Sequence, residues 1–321
     1  MAILDSRGRL HGRVGPVVYR TVGNTSIAQI KAAKVSQTFA TKESAVEFGL
    51  ASNTARAIRK ALFPLTYTAD GRMINRLNTA VLNCIKAAEG MKKGERDLHD
   101  GDLRYLEGFQ FNKNSPLDQV LKVRPVAELD ANNRVMVHIP AFQQKGGLQR
   151  PAHSYGCILR LMLVAVNFRE DYYEYCGYTD IDLGMGTNFA GHDWQPETVV
   201  PEGSILMLTA SLHYLGASGM VEQPVSMNTK AFSPAEIVAA FKIPVSAAGE
   251  PGVQQQKDAA DEEIMKRFPL NNYLGEELKR KMRKMREKQE KKHGKQAEEK
   301  QVQAKLAVFE MPKGRVALKK E

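Results

Sequence analysis

CILRLMLVAVNF at residues 157–168 and SILMLTASLHYL at residues 204–215 are two long aliphatic and β-branched runs in a chain of 321 residues. Such side chains are typical of β-strands. Leu161 to Val166 is too continuous to alternate in polarity, so it is either a central strand or a buried helical turn, and periodicity alone does not distinguish the two. The two runs predict that a β-sheet forms the middle of the protein.

Shorter segments on either side of these runs extend the predicted sheet. VLKVRPVAEL and RVMVHIP flank the turn sequence DANN at residues 130–133 and predict a hairpin, and MVEQPVSM at residues 220–227 predicts a further strand. Short strands separated by Gly, Asn, Asp and Pro favour an antiparallel sandwich or barrel over about residues 116–231. Ser233-Pro234-Ala235-Glu236 has the pattern of a capping box with proline at the first helical position, which predicts a short helix.

The first 90 residues predict a ribbon followed by two helices. VVYRTV and TSIAQIK flank Gly23-Asn24, the signature of a hairpin with a primed turn. Apolar residues then recur at spacings of three and four from Ala45 to Leu62 and again from Ile74 to Ala88. Gly90 is a typical end for the second helix. We expect the apolar faces of the two helices to pack together.

Charge is distributed very unevenly along the chain. The net charge is +10, and residues 279–321 contain 16 basic and 6 acidic groups. Residues 1–62 contain 10 basic and 3 acidic groups, whereas residues 63–278 contain 20 basic and 27 acidic groups. Clustered Lys and Arg create a local positive field. The two basic ends therefore predict contacts with an anionic partner.

These patterns together predict an α+β protein. It has an N-terminal β-ribbon plus helices, an antiparallel β-sandwich-like middle domain and a charged helical C-terminal tail. The predicted regions are a basic β-ribbon arm at 1–40, a helical region at 41–115, a β-sandwich-like domain at 116–245, a linker at 246–272 and a basic, helical tail at 273–321.

The tail is predicted to contact a polyanion. It has the pattern of a charged helix with a short apolar stripe at Leu274, Leu278, Met282 and Met285. Lys and Arg that neutralise phosphates release condensed counterions, which favours binding to nucleic acid. A solvated helix with internal ion pairs is the alternative. The predicted polyanion-binding residues are Lys279, Arg280, Lys281, Arg283, Lys284, Arg286, Lys288, Lys291 and Lys292.

A second hypothesis concerns TKESAVEFGLASNTARAIRK at residues 41–60, which resembles helix-turn-helix signatures with Gly49 at the turn. This geometry would direct Asn53, Arg56 and Arg59 to the bases of the major groove. One continuous helix is the alternative, because the apolar period passes through Gly49 without a break. Both alternatives remain open at the level of sequence.

Catalytic and metal-binding patterns are weak. His138, His153, His192 and His213 lie in the β-rich region without the spacing of a metal site, so their convergence on a metal stays open and no metal is predicted. No acid, base and nucleophile form a recognisable set, and we expect neither enzymatic activity nor a cofactor. Three cysteines without C-x-x-C spacing are typical of reduced thiols.

GRLHGRVGPVVYRTVGNTSIAQIKAAKVSQTFATKESAVEFGLAS, at residues 8–52, resembles the start of a group of Bacteroidota proteins of unknown function that begin with a Gly-rich G-x-V-G-P-V-V ribbon. The resemblance extends over residues 8–65. It implies a ribbon-plus-helices start followed by sandwich-like β structure. It implies no activity and no functional residue.

The sequence therefore favours a non-enzymatic assembly or scaffold protein. Its basic arm and tail are expected to contact neighbouring subunits or a polyanion such as DNA or RNA, and a homo-oligomer is expected. The alternative is a helix-turn-helix-like nucleic-acid-binding regulator that uses residues 41–60. The first residues, MAILDSRGRLHGRVG, lack an apolar stretch of signal-peptide length, and no segment has the roughly 18 apolar residues of a membrane span. We expect no membrane insertion and a cytoplasmic location.

Overall fold

The computed structural model describes residues 2–31, 36–186, 188–218, 221–245 and 267–309. It confirms the α+β class, with antiparallel sheets, several helices and a C-terminal helix. The chain forms two compact units, Met1–Lys42 and Glu43–Glu321. The finer division into five regions stays a prediction, and most of its linker, residues 246–266, lies outside the described residues, as do the last residues of the tail from 310 onward.

The first unit contains a four-stranded antiparallel sheet in the order β1-β2-β3-β4. The predicted hairpin is confirmed as β3 and β4, and Gly23 adopts a φ of 61° in its turn. Two further short strands precede it, so the ribbon is wider than the predicted two strands. None of the residues in these four strands is buried. The strands are β1 (Ala2–Leu4), β2 (Leu10–Val14), β3 (Val17–Val22) and β4 (Thr25–Ile30).

The remaining elements are helices, short strands and three long strands. The described helices are α1 (Phe39–Ala61), α2 (Phe63–Thr66), α3 (Met73–Lys86), α4 (Leu117–Val120), the irregular turn α5 (Gln144–Gly147) and α6 (Gly275–Phe309), with a 3-10 turn at Leu103–Tyr105. The described strands are β5 (Phe109–Gln110), β6 (Val126–Leu129), β7 (Val135–Ile139), β8 (Phe142–Gln143), β9 (Ser154–Asn167), β10 (Tyr172–Asp182), β11 (Asn188–Phe189), β12 (His192–Trp194), β13 (Ile205–Ser218), β14 (Val221–Ser226), β15 (Ala235–Lys242) and β16 (Phe268–Pro269).

A seven-stranded sheet organises the second unit. Its order is β16-β10-β9-β13-β15-β5, and β14 also pairs with β13. The continuous run from Leu161 to Val166 is a central strand rather than a helical turn, because β9 is paired on both edges and covered on both faces. A strand that is buried on both faces has apolar side chains on both, so its sequence does not alternate between polar and apolar residues.

Two layers cover this sheet. Residues of α1 and α3, such as Ile58 and Leu77, share a core with Val164 and Met207 on one face. On the other face, a smaller sheet of order β12-β7-β6 packs through residues such as Val137 against the sheet. The predicted hairpin of β6 and β7 is confirmed, with Leu129 opposite Val135. The sandwich-like character therefore belongs to one side of the sheet, and helices form the other side.

The short helix predicted from Ser233 to Glu236 is wrong. Strand β15 begins at Ala235 instead, and it pairs with β13 on one edge and with β5 on the other. Five of its eight residues are buried. Pairing on both edges outweighs a local capping preference, because isolated short helices are only marginally stable in water.

Gly101 offers a test of the packing between α3 and the loop that follows it. A Cβ at this position would lie 2.6 Å from the carbonyl carbon of Cys84 and closer still to its oxygen. We expect Gly101→Ala to lower the free energy of unfolding by about 1 to 3 kcal/mol, because a backbone atom has to move. Gly71→Ala is the matched control, since a Cβ there has no atom within 4 Å. Urea denaturation measures both, and equal stabilities would contradict the described approach of the loop to α3.

Candidate polyanion interface

Helix α6 lies against the second unit along one face. Lys279, Met282 and Arg286 are spaced by three and four residues and therefore lie on the same side of the helix. Met282 is fully buried. It packs closely against Gly94, because a Cβ added to this glycine would lie 3.0 Å from the Cγ of Met282. Arg286 donates to Glu43 Oε1 at 2.6 Å and to Glu95 Oε1 at 2.5 Å. We refer to Lys279, Met282 and Arg286 as the anchored face.

The ion pair of Lys279 is buried. Its Nζ donates to Asp97 Oδ2 at 2.7 Å, and the exposed fractions of the two side chains are only 7% and 3%. Arg169 also donates to Asp97, at 3.1 Å, and to Asp100 at 2.8 Å. Burial alone would raise the pKa of Asp97, but hydrogen bonds from Arg169 and Lys279 hold it well below its ordinary value. Asp97 is therefore a carboxylate at neutral pH, and it ties α6 to the loop before the 3-10 turn.

His99 lies beside this cluster in neutral form. Its pKa is lowered to about 4, mainly because the imidazole is buried. Its Nε2 accepts a hydrogen bond from the Phe168 backbone N–H at 3.3 Å. An acceptor nitrogen is unprotonated, so the hydrogen bond and the lowered pKa agree.

The opposite side of α6 carries a continuous stripe of cations from Arg280 to Lys295. Arg280, Lys284, Lys288, Lys291 and Lys295 are exposed, and their spacing of three and four residues places them on one face. None of the five forms an ion pair within 4.0 Å with a carboxylate of the described residues. The stripe is about 22 Å long, at about 1.5 Å per residue. We refer to these five residues as the basic face.

The structure divides the nine residues predicted from the tail. Lys279 and Arg286 hold α6 in place through buried or half-buried ion pairs, and Arg283 lies 3.8 Å from Glu95. Four of the nine belong to the basic face: Arg280, Lys284, Lys288 and Lys291. Two others, Lys281 and Lys292, are exposed beside it. Lys295 is not among the nine predicted residues, but it continues the spacing of the same face and is exposed.

The three residues predicted for base reading lie on α1, which is one continuous helix through Gly49. Gly49 faces α6, since a Cβ there would lie 3.5 Å from Leu278 Cδ1. Asn53 donates its Nδ2 to the Gly49 carbonyl at 2.9 Å, whereas Arg56 is exposed. Arg59 is half-buried, and burial followed by the charge of Arg56 lowers its pKa. Helix-turn-helix geometry is therefore absent from this segment, and base contact by these residues stays a prediction.

The four histidines do not converge. His138 Nδ1 lies 2.5 Å from Asp193 Oδ1, and His192 pairs with Ile139 in the small sheet. His213 lies 3.0 Å from Ser211 Oγ on β13, and His153 occupies a turn with a φ of 66°. Within the described ranges, no group of three or more His, Cys, Asp or Glu has the geometry to hold a metal ion.

Cys84, Cys157 and Cys176 are buried free thiols. Burial raises their pKa values to about 12, 11 and 12, respectively. Since the thiolate is the nucleophilic form of cysteine, these three thiols are unreactive at neutral pH. They act as small apolar side chains of the core.

Comparisons with protein-family models, curated proteins and solved structures found no match to this chain. Among the helices that the structure describes, none is long and apolar enough to cross a membrane.

The anchored face predicts which lysines of α6 contribute to stability. Lys279→Met leaves Asp97 buried with only one of its two cationic partners, and we expect a loss of about 3 kcal/mol in the free energy of unfolding. Lys281→Met, which removes an exposed lysine two residues after Lys279, should change it by less than about 0.5 kcal/mol. Guanidinium denaturation compares the two variants. Equal losses would show that the Lys279 pair does not hold the helix.

Proposed function

We propose that this protein is a non-enzymatic assembly protein that binds a polyanion, such as DNA or RNA, through the basic face of α6. The observation that carries the proposal is the division of cations on this helix. The anchored face is neutralised by Asp97, Glu43 and Glu95. The basic face has no such partners among the described residues, and a polyanion would supply them.

The arrangement favours phosphate contact without base reading. Lysine is a flexible point charge that neutralises phosphates, whereas base discrimination requires planar, bidentate groups held in a groove. Four of the five residues of the basic face are lysines. Because the anchored face fixes the first turns of α6, Arg280, Lys284 and Lys288 on its other side are held in a row before any ligand binds, which lowers the entropic cost of binding.

Replacing Lys284, Lys288, Lys291 and Lys295 by glutamine tests this interface. All four side chains are exposed, so the fold should be unaffected. We expect weaker binding to a mixed-sequence duplex and to single-stranded RNA, together with a decrease of about 3 in the slope of log affinity against log salt concentration. Fluorescence anisotropy over a series of salt concentrations measures both quantities.

A matched control removes the same charge elsewhere. Lys113, Lys122, Lys145 and Lys230 are also exposed, and their replacement by glutamine lowers the net charge equally. The control should keep most of the affinity and its salt slope. Equal losses in both variants would mean that net charge rather than the basic face is responsible, and unchanged binding in the α6 variant would refute the interface.

The sheet of the first unit supports the assembly part of the proposal. The strand register places Val14, Val17 and Ile30 in one cross-strand row, and Tyr19 and Ala28 lie on the same face. Val14 is 52% exposed and Ile30 is 78% exposed. An exposed row of apolar side chains on a sheet is typical of an interaction surface. We propose that its partner is a second copy of the chain, because the basic arm and the acidic residues 63–278 have complementary charge.

Val14→Asp is expected to disrupt this self-association. Val22→Asp is the control, because Val22 lies on the opposite face of the sheet and is similarly exposed, at 57% against 52% for Val14. Light scattering at tens of micromolar protein should report an oligomer for the parent chain and the control, and a lower mass for Val14→Asp. A monomeric mass for the parent chain in both low and moderate salt would rule out assembly.

The regulator hypothesis is less favoured, because the turn on which it depends is replaced by a continuous helix. This hypothesis has a test of its own, because a protein that reads bases keeps its preference for one sequence when the salt concentration is raised. Selection of DNA sites at moderate salt with the full chain addresses it independently of the basic face.

A further inference from the structure

A cleft lies between α1 and the turn that precedes α6. One wall is formed by Asn53, Arg56, Ala57 and Lys60, and the other by Leu270, Asn271, Asn272 and Tyr273. Its volume is about 340 Å³. This is the lower end of the size range of small-molecule sites, which are about 300 to 1,000 Å³.

Positive charge around this cleft is not compensated. Arg56, Arg59 and Lys60 lie within about one turn of α1, and none forms an ion pair with a carboxylate of the described residues. Arg59 has a buried Nη1 without a hydrogen-bond partner. Buried polar atoms usually have a partner, and like charges on one helical turn repel each other. An anion near Arg56 would reduce this repulsion.

The second wall is held in a fixed but costly conformation. Asn271 and Asn272 have φ values of 52° and 59°, in the left-handed region that asparagine tolerates better than most residues. The turn is fastened at both ends: Lys60 donates to the Pro269 carbonyl at 2.6 Å, and Tyr273 Oη lies 3.3 Å from Thr54 Oγ1. Consecutive residues of this kind are frequent at ligand sites, where the surrounding structure maintains them.

We propose that this cleft binds the phosphate group of a small phosphate ester. The juxtaposition of the Arg56 guanidinium and the Lys60 ammonium with the carboxamides of Asn271 and Asn272 provides only donors or neutral groups to an anion. Guanidinium groups match the geometry of phosphate oxygens. Leu270, Ala57 and Tyr273 add an apolar part to the cleft, which suits an ester with an organic group better than inorganic phosphate. This site is separate from the basic face of α6.

Phenyl phosphate and inorganic phosphate are suitable probes, and titration calorimetry on the full chain measures their binding. We expect phenyl phosphate to bind more tightly than inorganic phosphate, and phenol not to bind. Arg56→Met should weaken phenyl phosphate binding by about tenfold or more, because a hydrogen bond to a charged group is lost. Asn272→Gly keeps the left-handed turn accessible and removes one carboxamide, so a smaller loss is expected.

Arg134→Met is the matched control, since Arg134 is an exposed arginine in the turn between β6 and β7. It should leave phenyl phosphate binding unchanged. Absence of binding at tens of millimolar, or an equal loss in Arg56→Met and Arg134→Met, would overturn the proposal. Loss of phenyl phosphate binding in the four-lysine variant of α6 would also overturn it, by assigning the anion to that face. Intact binding in that variant, whatever its affinity for nucleic acid, supports a distinct site.

Discussion

The buried ion pair between Lys279 and Asp97 is the contact on which the arrangement of the C-terminal helix depends. Taking two charges out of water is costly, and the mutual attraction compensates only when further hydrogen bonds complete the cluster. Arg169 and the backbone N–H of His99 provide such bonds to Asp97. Since Arg169 follows the end of β9 and Asp97 belongs to the loop after α3, the same carboxylate connects the sheet, the helical layer and α6. Breaking this pair would leave a buried charge without one of its partners, so the pair fixes where the helix docks.

That docking determines which charges of α6 remain available to a partner. A helix with cations all round would expose every one of them in solution, and its basic residues would be equivalent. Fixing Lys279, Met282 and Arg286 against the protein removes two cations from the surface and aligns the others on the opposite side. Met282, which belongs to the apolar stripe predicted for the tail, is buried within the chain itself. The proposed self-association therefore depends on the sheet of the first unit.

Much of the fold was predictable because its signals are local. The long strands β9 and β13, the hairpins and the periodic faces of α1 and α3 all follow from the spacing of apolar residues. The strand β15 was missed, because its partners β13 and β5 lie elsewhere in the chain and override the local pattern at Ser233-Pro234. The distinction between Lys279 and its neighbours was missed for the same reason, since Asp97 is 182 residues away in sequence. The cleft likewise joins α1 to a turn more than 200 residues later.

The part of α6 from residue 291 onward differs from the anchored face in its exposure to solvent. Every residue from 291 to 303 is exposed, so no packing stabilises this part of the helix. Helices that are polar on all sides depend on a formed nucleus and on pairs three and four residues apart. Here the anchored face provides the nucleus, while Lys284, Lys288 and Lys292 follow one another at intervals of four and repel each other. A polyanion that neutralises these lysines would also stabilise the helix that presents them, so that binding and helix formation favour each other.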